Sequence, residues 1–195
     1  MPLIVEDGTG RATADAYVSV ADADAYFTTR STAWAGYSND EREAAIRFAT
    51  SWLDDTYLGL WKGSRVVETQ ALAWPRDNSP GYTLMWQRGA YPKAQGYLYD
   101  LDGFPIMPNV VPRAVKRACM EAAILKAQGV DFAKAATTTA VRKASRSVDR
   151  VSYSDEYEAA VSKRDARIQA IDKLLLGLVT SVPGASFATG KLVRA

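Results

Sequence analysis

At 195 residues, with 48% hydrophobic and 24% charged residues, the chain is long enough for one domain with a sizeable core or for a core with extended arms, and the second reading fits better. No run approaches the roughly 18 apolar residues of a membrane span, and MPLIVEDGTG has neither the basic start nor the apolar stretch of a secretory signal. The single cysteine, Cys119, rules out an internal disulfide, and the absence of histidine removes the usual zinc ligand sets, the commonest general base and every Ser-His or Cys-His pair.

Net charge is only +2, which alone argues against a strong nucleic-acid binder, yet the charge is unevenly spread. Residues 1–60 hold Arg11, Arg30, Arg42 and Arg47 against ten carboxylates, a net of −6, while the remainder carries +8. Such a split suits copies that meet head to flank, or an electropositive face. Equally, the two sets can neutralise each other within one fold.

Ala16 to Val20 reads as a short extended piece. Ser19 followed by Asp22 predicts a capping-box start for a helix to about Arg30, with Tyr26 and Phe27 at its buried end. Ser38 followed by Glu41 repeats the signal, and Asp40, Glu41 and Glu43 complement the positive end of the helix dipole. In this second helix Ile46, Ala49, Leu53 and Tyr57 recur at spacings of three and four, with Trp52 widening the stripe, so one broad face is buried. Gly59 and Gly63 close it.

The helix runs into WKGSRVVETQALAWPR, Trp61 to Arg76, around which the chain is organised. Trp61 and Trp74 each sit within two residues of a cation, Lys62 and Arg76. Aromatics beside cations can stack on nucleic-acid bases, but an indole at the edge of a small core has the same signature and buries more area. The stretch is therefore read as an anchor. From Asp77 to Val111, Pro and Gly punctuate the chain every few residues, which predicts loop or short hairpins. Its aromatic and apolar content, Tyr82, Leu84, Met85, Trp86, Tyr91, Tyr97, Leu98, Tyr99 and Phe104, needs a surface to pack on, in the same chain or a neighbour.

Pro112 opens a third helix reaching Gly129, with Val115, Ala118, Cys119, Ala122 and Leu125 on one face. Arg113, Lys116 and Arg117 crowd its first turns, the wrong end for the dipole, so an acidic partner is expected to answer them. Alternation between Thr137 and Tyr153 predicts a two-stranded ribbon turning near Ser145, with Arg142, Lys143, Arg146 and Arg150 making it the most basic piece of the chain. Tyr157, Val161, Ile168, Ile171, Leu175 and Leu178 predict a last helix from about Asp155 to Leu178, too short for three clean heptads. SVPGASFATGKLVRA then reads as a tail.

No motif assembles a nucleophile with its base. Gly8-Thr9-Gly10 lacks the third glycine of a dinucleotide loop, and Asp100-Leu101-Asp102-Gly103 lacks the rest of a calcium loop and reads as a tight turn. Asp54 and Asp55 are adjacent and diverge on a helix. No catalytic residue, metal site or cofactor is expected, and the protein should hydrolyse neither nucleotides nor nucleic acid.

The motifs LIVEDGTG, AYVSVADADAYF, WKGSR, QALAWPR, YDLDGFPI and VPRAVKRA, in that order from Leu3 to about Ala123, resemble the tailed-phage head-tail adaptor group, catalogued in part as "DnaT-like ssDNA-binding" proteins. The resemblance implies a small helical connector with a β ribbon, not an enzyme, assembled with its own copies as a ring, expected to be dodecameric, beneath the portal. It implies the portal protein and the next neck or tail-completion protein as partners. Double-stranded DNA in transit would be contacted non-specifically, with no membrane involved. The location implied is the neck of the virion, after synthesis in the bacterial host cytoplasm. The catalogue label gives the alternative, a replication module that binds single-stranded DNA. Two stretches, Asp77 to Gly96 and Asp155 to Arg164, look longer than the family's links.

Together these readings give a mainly α fold: a bundle of about four helices with a short β ribbon, a long irregular insertion and an extended C-terminal tail. One domain covers residues 1–178, with the loop at 77–111 and the ribbon at 139–153, and the tail covers 179–195. Arg142, Lys143, Arg146 and Arg150 are candidates to face the DNA lumen or an acidic neighbour. Tyr82, Met85, Trp86 and Tyr91 are candidates for the subunit interface, and Phe187, Leu192 and Val193 for contact between the tail and the portal or another neighbour.

Overall fold

The computed structural model describes residues 2–30, 33–78, 97–135, 139–148, 151–162 and 165–182. Both capping boxes form as the sequence requires. Helix α1, Val20–Thr28, starts where Ser19 Oγ accepts from the Asp22 N–H (3.0 Å) and Asp22 Oδ2 accepts from the Ser19 N–H (3.1 Å). Helix α2, Asn39–Thr56, repeats this with Ser38 and Glu41. A single 3-10 turn, Ala33–Gly36, lies between them and places Trp34 in the core, its indole N–H donating to Asp24 (2.7 Å).

Helix α3, Arg113–Ala127, follows Pro112 and ends before Gly129, whose φ of +78° suits a residue without a side chain. The short helix α4, Phe132–Ala135, comes next, and α5, Ala166–Leu175, begins on Asp165, whose carboxylate accepts from the Arg167 N–H (2.8 Å). The core lies where α2 packs on α3 and α3 on α5. Ile46, Ala49 and Leu53 meet Val115, Ala118, Cys119 and Ala122, all fully buried, and the small residues of α3 let the helices approach closely. Each buried Ile or Leu in this seam contributes about 1.5–3 kcal/mol. Midway along α3, Tyr26 Oη donates to Glu121 (2.6 Å), which ties α1 to α3.

Three antiparallel ribbons complete the described residues. Strands β1, Ser64–Arg65, and β2, Arg76–Asp77, close the Trp61 to Arg76 loop; β3, Leu98–Tyr99, and β4, Pro105–Ile106, form a hairpin; β5, Thr139–Val148, pairs with β6, Val151–Ser162. The fold is thus mainly helical with small ribbons. Among the described residues no helix is long and apolar enough to cross a membrane.

The long ribbon corrects two expectations. Ser145 lies within β5 opposite Ser154, and the chain reverses between Val148 and Val151, not near Ser145. The last helix begins at Ala166 rather than Asp155, because Asp155 to Ser162 belongs to β6. Tyr157 and Val161 are four apart, which satisfies a period of two as well as one of 3.6, and β5 supplies the partner that selects the strand. Ribbon length changes accordingly, from 139–153 to 139–162.

Beyond α5 the chain returns to the anchor. Trp61 bridges Val179, Lys62 N–H donates to Leu178 O (2.9 Å), Thr180 N–H donates to Leu60 O (2.8 Å), and Val182 still packs on the core. The body therefore includes residues past Leu178, where the helical stripe stops.

Candidate functional site

The Trp61 to Arg76 stretch turns inward. Trp61 and Trp74 are 6% and 0% exposed, and their rings meet edge to face at 5.7 Å with Tyr57 against Trp61 at 5.3 Å. Neither indole can stack on a base. Their neighbouring cations are committed to loop carbonyls: Arg76 donates to Lys62 O (2.9 Å), Gly63 O (2.5 Å) and Ala73 O (3.2 Å), and Lys62 Nζ donates to Gly177 O (2.9 Å). Gly63 is required here, since its φ is +71° and a Cβ would stand 2.2 Å from Asp77 O.

Beneath this loop Tyr17 Oη donates to Asp54 and accepts from the Trp74 N–H (3.2 Å), while the other Asp54 oxygen accepts from the Ala73 N–H (2.9 Å). Burial pushes the Asp54 carboxyl from 3.8 up to about 6, against the lowering effect of the Tyr17 and Ala73 hydrogen bonds. The Tyr17 hydroxyl is raised well above its usual range by burial and by the Asp54 charge. Burial also pushes Cys119 up to about 12, so the thiol that meets Thr50 Oγ1 at 3.4 Å stays protonated and is no nucleophile. Tyr57 Oη donates to the buried Asp172 in the same manner, joining α2 to α5.

The glycine and acidic motifs are also spent on the fold. Glu6, 2% exposed, accepts from the N–H groups of Gly8 (2.8 Å), Gly10 (2.9 Å) and Arg11 (2.8 Å), so those amides cannot cradle a phosphate. Gln70 holds the Val67 N–H and the carbonyls of Leu72 and Pro75. Asp100 Oδ1 accepts from the N–H groups of Asp102 (3.0 Å) and Phe104 (2.8 Å), closing a turn. Among the described residues no group of three or more His, Cys, Asp or Glu could hold a metal ion.

Among the described residues two open surfaces stand out. The β3–β4 hairpin leaves Leu101 and Phe104 71% and 67% exposed, beside the exposed Tyr99, Met107, Val110 and Leu176. A cleft of about 430 Å³ runs under it, lined by Leu101, Ile106, Met107, Val110, Leu174 and Leu178, with Asp100, Asp102 and Arg113 at its margins. Leu101, Met107 and Val110 are exposed and line this same cleft, and apolar surface gathered in this way marks an interaction site. A second cleft, about 650 Å³, is floored by Phe48, Trp52 and Phe132. There Lys126 Nζ stands 4.2 Å from the Phe48 ring centre, but Asp131 and the carbonyl end of α3 also face the cleft, so its electrostatics do not favour a phosphate chain.

Arg142, Lys143 and Arg146 fall on β5, with Arg142 opposite Tyr157, Lys143 opposite Glu156 and Arg146 opposite Tyr153. Arg150, the interface candidates Tyr82, Met85, Trp86 and Tyr91, and the tail candidates Phe187, Leu192 and Val193 lie outside the described residues. Sequence reasoning missed Leu101, Met107, Val110 and Leu176; for Met107 and Val110 the available signal was their place between Pro105, Pro108 and Pro112, where a turn cannot bury them. It also missed that β6 brings Asp155, Glu156 and Glu158 to the basic strand.

A protein-family model described as "Putative DnaT-like ssDNA binding protein" matches residues 1–85 and 81–195. The chain belongs to this family. The two matched stretches meet at residues 81–85, inside the Asp77 to Gly96 segment that reads as longer than the family's link. No curated protein and no solved structure matches the chain. Glu6 to Gly10, Tyr17 and Trp61 to Arg76, which lie in the motifs that carry the resemblance, take part in the scaffold just described.

Proposed function

We propose that this protein is a non-enzymatic, DNA-handling assembly subunit, and that its form is the head-tail adaptor of a tailed phage, the group its motifs resemble. In that role copies form a ring beneath the portal, join the capsid to the neck or tail, and let the genome pass through the lumen. The observation that carries the assembly reading is the exposed apolar surface of the β3–β4 hairpin with Met107, Val110 and Leu176, which a ring would bury on every copy at once. The buried Trp61 and Trp74 agree with it, since the aromatic-cation pairs that could have stacked on bases are part of the core. Ring number, portal contact and the virion neck as location belong to this proposal.

The family description supports single-stranded DNA binding more directly than it supports an adaptor. In that second reading the half-buried Phe48 and Trp52 of the open cleft, with Lys126, would supply the stacking surface. Fluorescence anisotropy with single- and double-stranded oligonucleotides across a salt series separates the two. An adaptor should bind both weakly, without sequence preference, and lose binding steeply as salt rises. Tight binding confined to single strands at physiological salt, abolished by Trp52→Ala, would establish the second reading instead.

A further inference from the structure

We propose that the β5–β6 ribbon joins copies of this chain edge to edge, β5 of one copy pairing with β6 of the next. This rests on the assembly reading above and adds a second contact to the hairpin surface. Strands of 10 and 12 residues pair with each other, and among the described residues neither outer edge pairs with a further strand. Open edges present a row of backbone donors and acceptors that another strand can pair, and a two-stranded ribbon by itself is marginal in water.

Charge selects the occupant. β5 carries Arg142, Lys143 and Arg146 and no carboxylate, whereas β6 carries Asp155, Glu156 and Glu158 and no Lys or Arg. A two-fold contact, β5 on β5 or β6 on β6, would set like charges across the new ladder, which is unfavourable. Pairing β5 with β6 sets basic against acidic at every junction. It also keeps the ladder antiparallel when all the ribbons point the same way. Such a contact is head to tail, so it either closes into a ring or runs on as a filament. A nucleic acid would suit β5 alone and meet like charge at β6, so a second copy fits both edges where a polyanion fits one.

The test uses two full-length charge reversals. In the first, Arg142→Glu, Lys143→Glu and Arg146→Glu make both strands acidic; in the second, Asp155→Lys, Glu156→Lys and Glu158→Lys make both basic. Native mass spectrometry and sedimentation of DNA-free protein should show the unaltered chain as a multi-subunit species and each variant alone as a monomer. The two variants mixed should recover the multi-subunit mass at equal stoichiometry, because acidic edges then alternate with basic ones. The mixture is the decisive arm, since pairing within each hairpin stays mismatched and only pairing between copies is restored. An unchanged helical circular dichroism signal in both variants confirms that the body is folded. Edge pairing is overturned, with assembly intact, if either variant alone assembles like the unaltered chain or the mixture stays monomeric while the unaltered chain assembles. If the unaltered chain is monomeric at its highest soluble concentration, the assembly reading falls along with it.

Discussion

Tyr17 and Asp54 meet through a hydrogen bond from the phenol to the carboxylate, and this pair fastens the N-terminal segment to α2 and to the loop that carries Trp74. Tyr17→Phe removes the donor to Asp54 and the acceptor of the Trp74 N–H together. The expected loss is about 1–3 kcal/mol, the cost of leaving buried polar groups unpaired. Urea denaturation should show a lower midpoint with an unchanged slope.

The same pair sets a pH dependence. Because the folded-state pKa of Asp54 is raised from 3.8 to about 6, the folded protein holds this proton more strongly than the unfolded chain does. Its contribution therefore favours folding most below the ordinary value of 3.8, and that advantage is lost as pH rises through about 6. The measurement is the difference in urea midpoint between the unaltered chain and Asp54→Asn, which cannot titrate. Between these two pH values the unaltered chain should lose ground to the variant as pH increases. A flat difference would show that Asp54 keeps an ordinary pKa.

Glu6→Gln tests the N-terminal loop. An amide can present only one oxygen to the three N–H groups of Gly8, Gly10 and Arg11, and its nitrogen faces a donor. Stability should fall by roughly 1–3 kcal/mol, as for a lost hydrogen bond to a charged group. Amide exchange at Gly8, Gly10 and Arg11 should accelerate ahead of exchange in α2 and α3.

Phe104→Ser and Leu176→Ser address the exposed apolar surface. Both side chains already face solvent in the single chain, 67% and 48% exposed, so unfolding free energy should move by no more than about 0.5 kcal/mol. Sedimentation should nevertheless show weakened assembly. A large loss of monomer stability with assembly unchanged would place these side chains in the body's own packing.

Much of the fold was legible because local chemistry and tertiary demand agree. Ser19 with Asp22 and Ser38 with Glu41 start their helices, and Gly129 ends another, by hydrogen bonds and backbone angles fixed within a few residues. The stripe Ile46, Ala49, Leu53 and Tyr57 is buried as its period requires. Legibility failed where two periods coincide, at Tyr157 and Val161, and where the deciding partner is a distant strand rather than a neighbouring residue. The site was harder to read. Whether Trp61 and Trp74 stack on bases or on each other depends on Tyr57 and on the long-range bridge to Val179, neither of which spacing reveals. Exposure of Leu101 and Phe104 depends on how one four-residue turn sits over Gly177, whose missing side chain leaves room for Leu101.

Electron microscopy of the purified protein, with and without single-stranded DNA, tests the assembly claim most directly. The account expects closed rings with an open lumen, of one subunit number, in the absence of DNA and unchanged by adding it. Isolated monomers without DNA that line up along single strands when it is added would contradict the account and leave single-strand binding as the function.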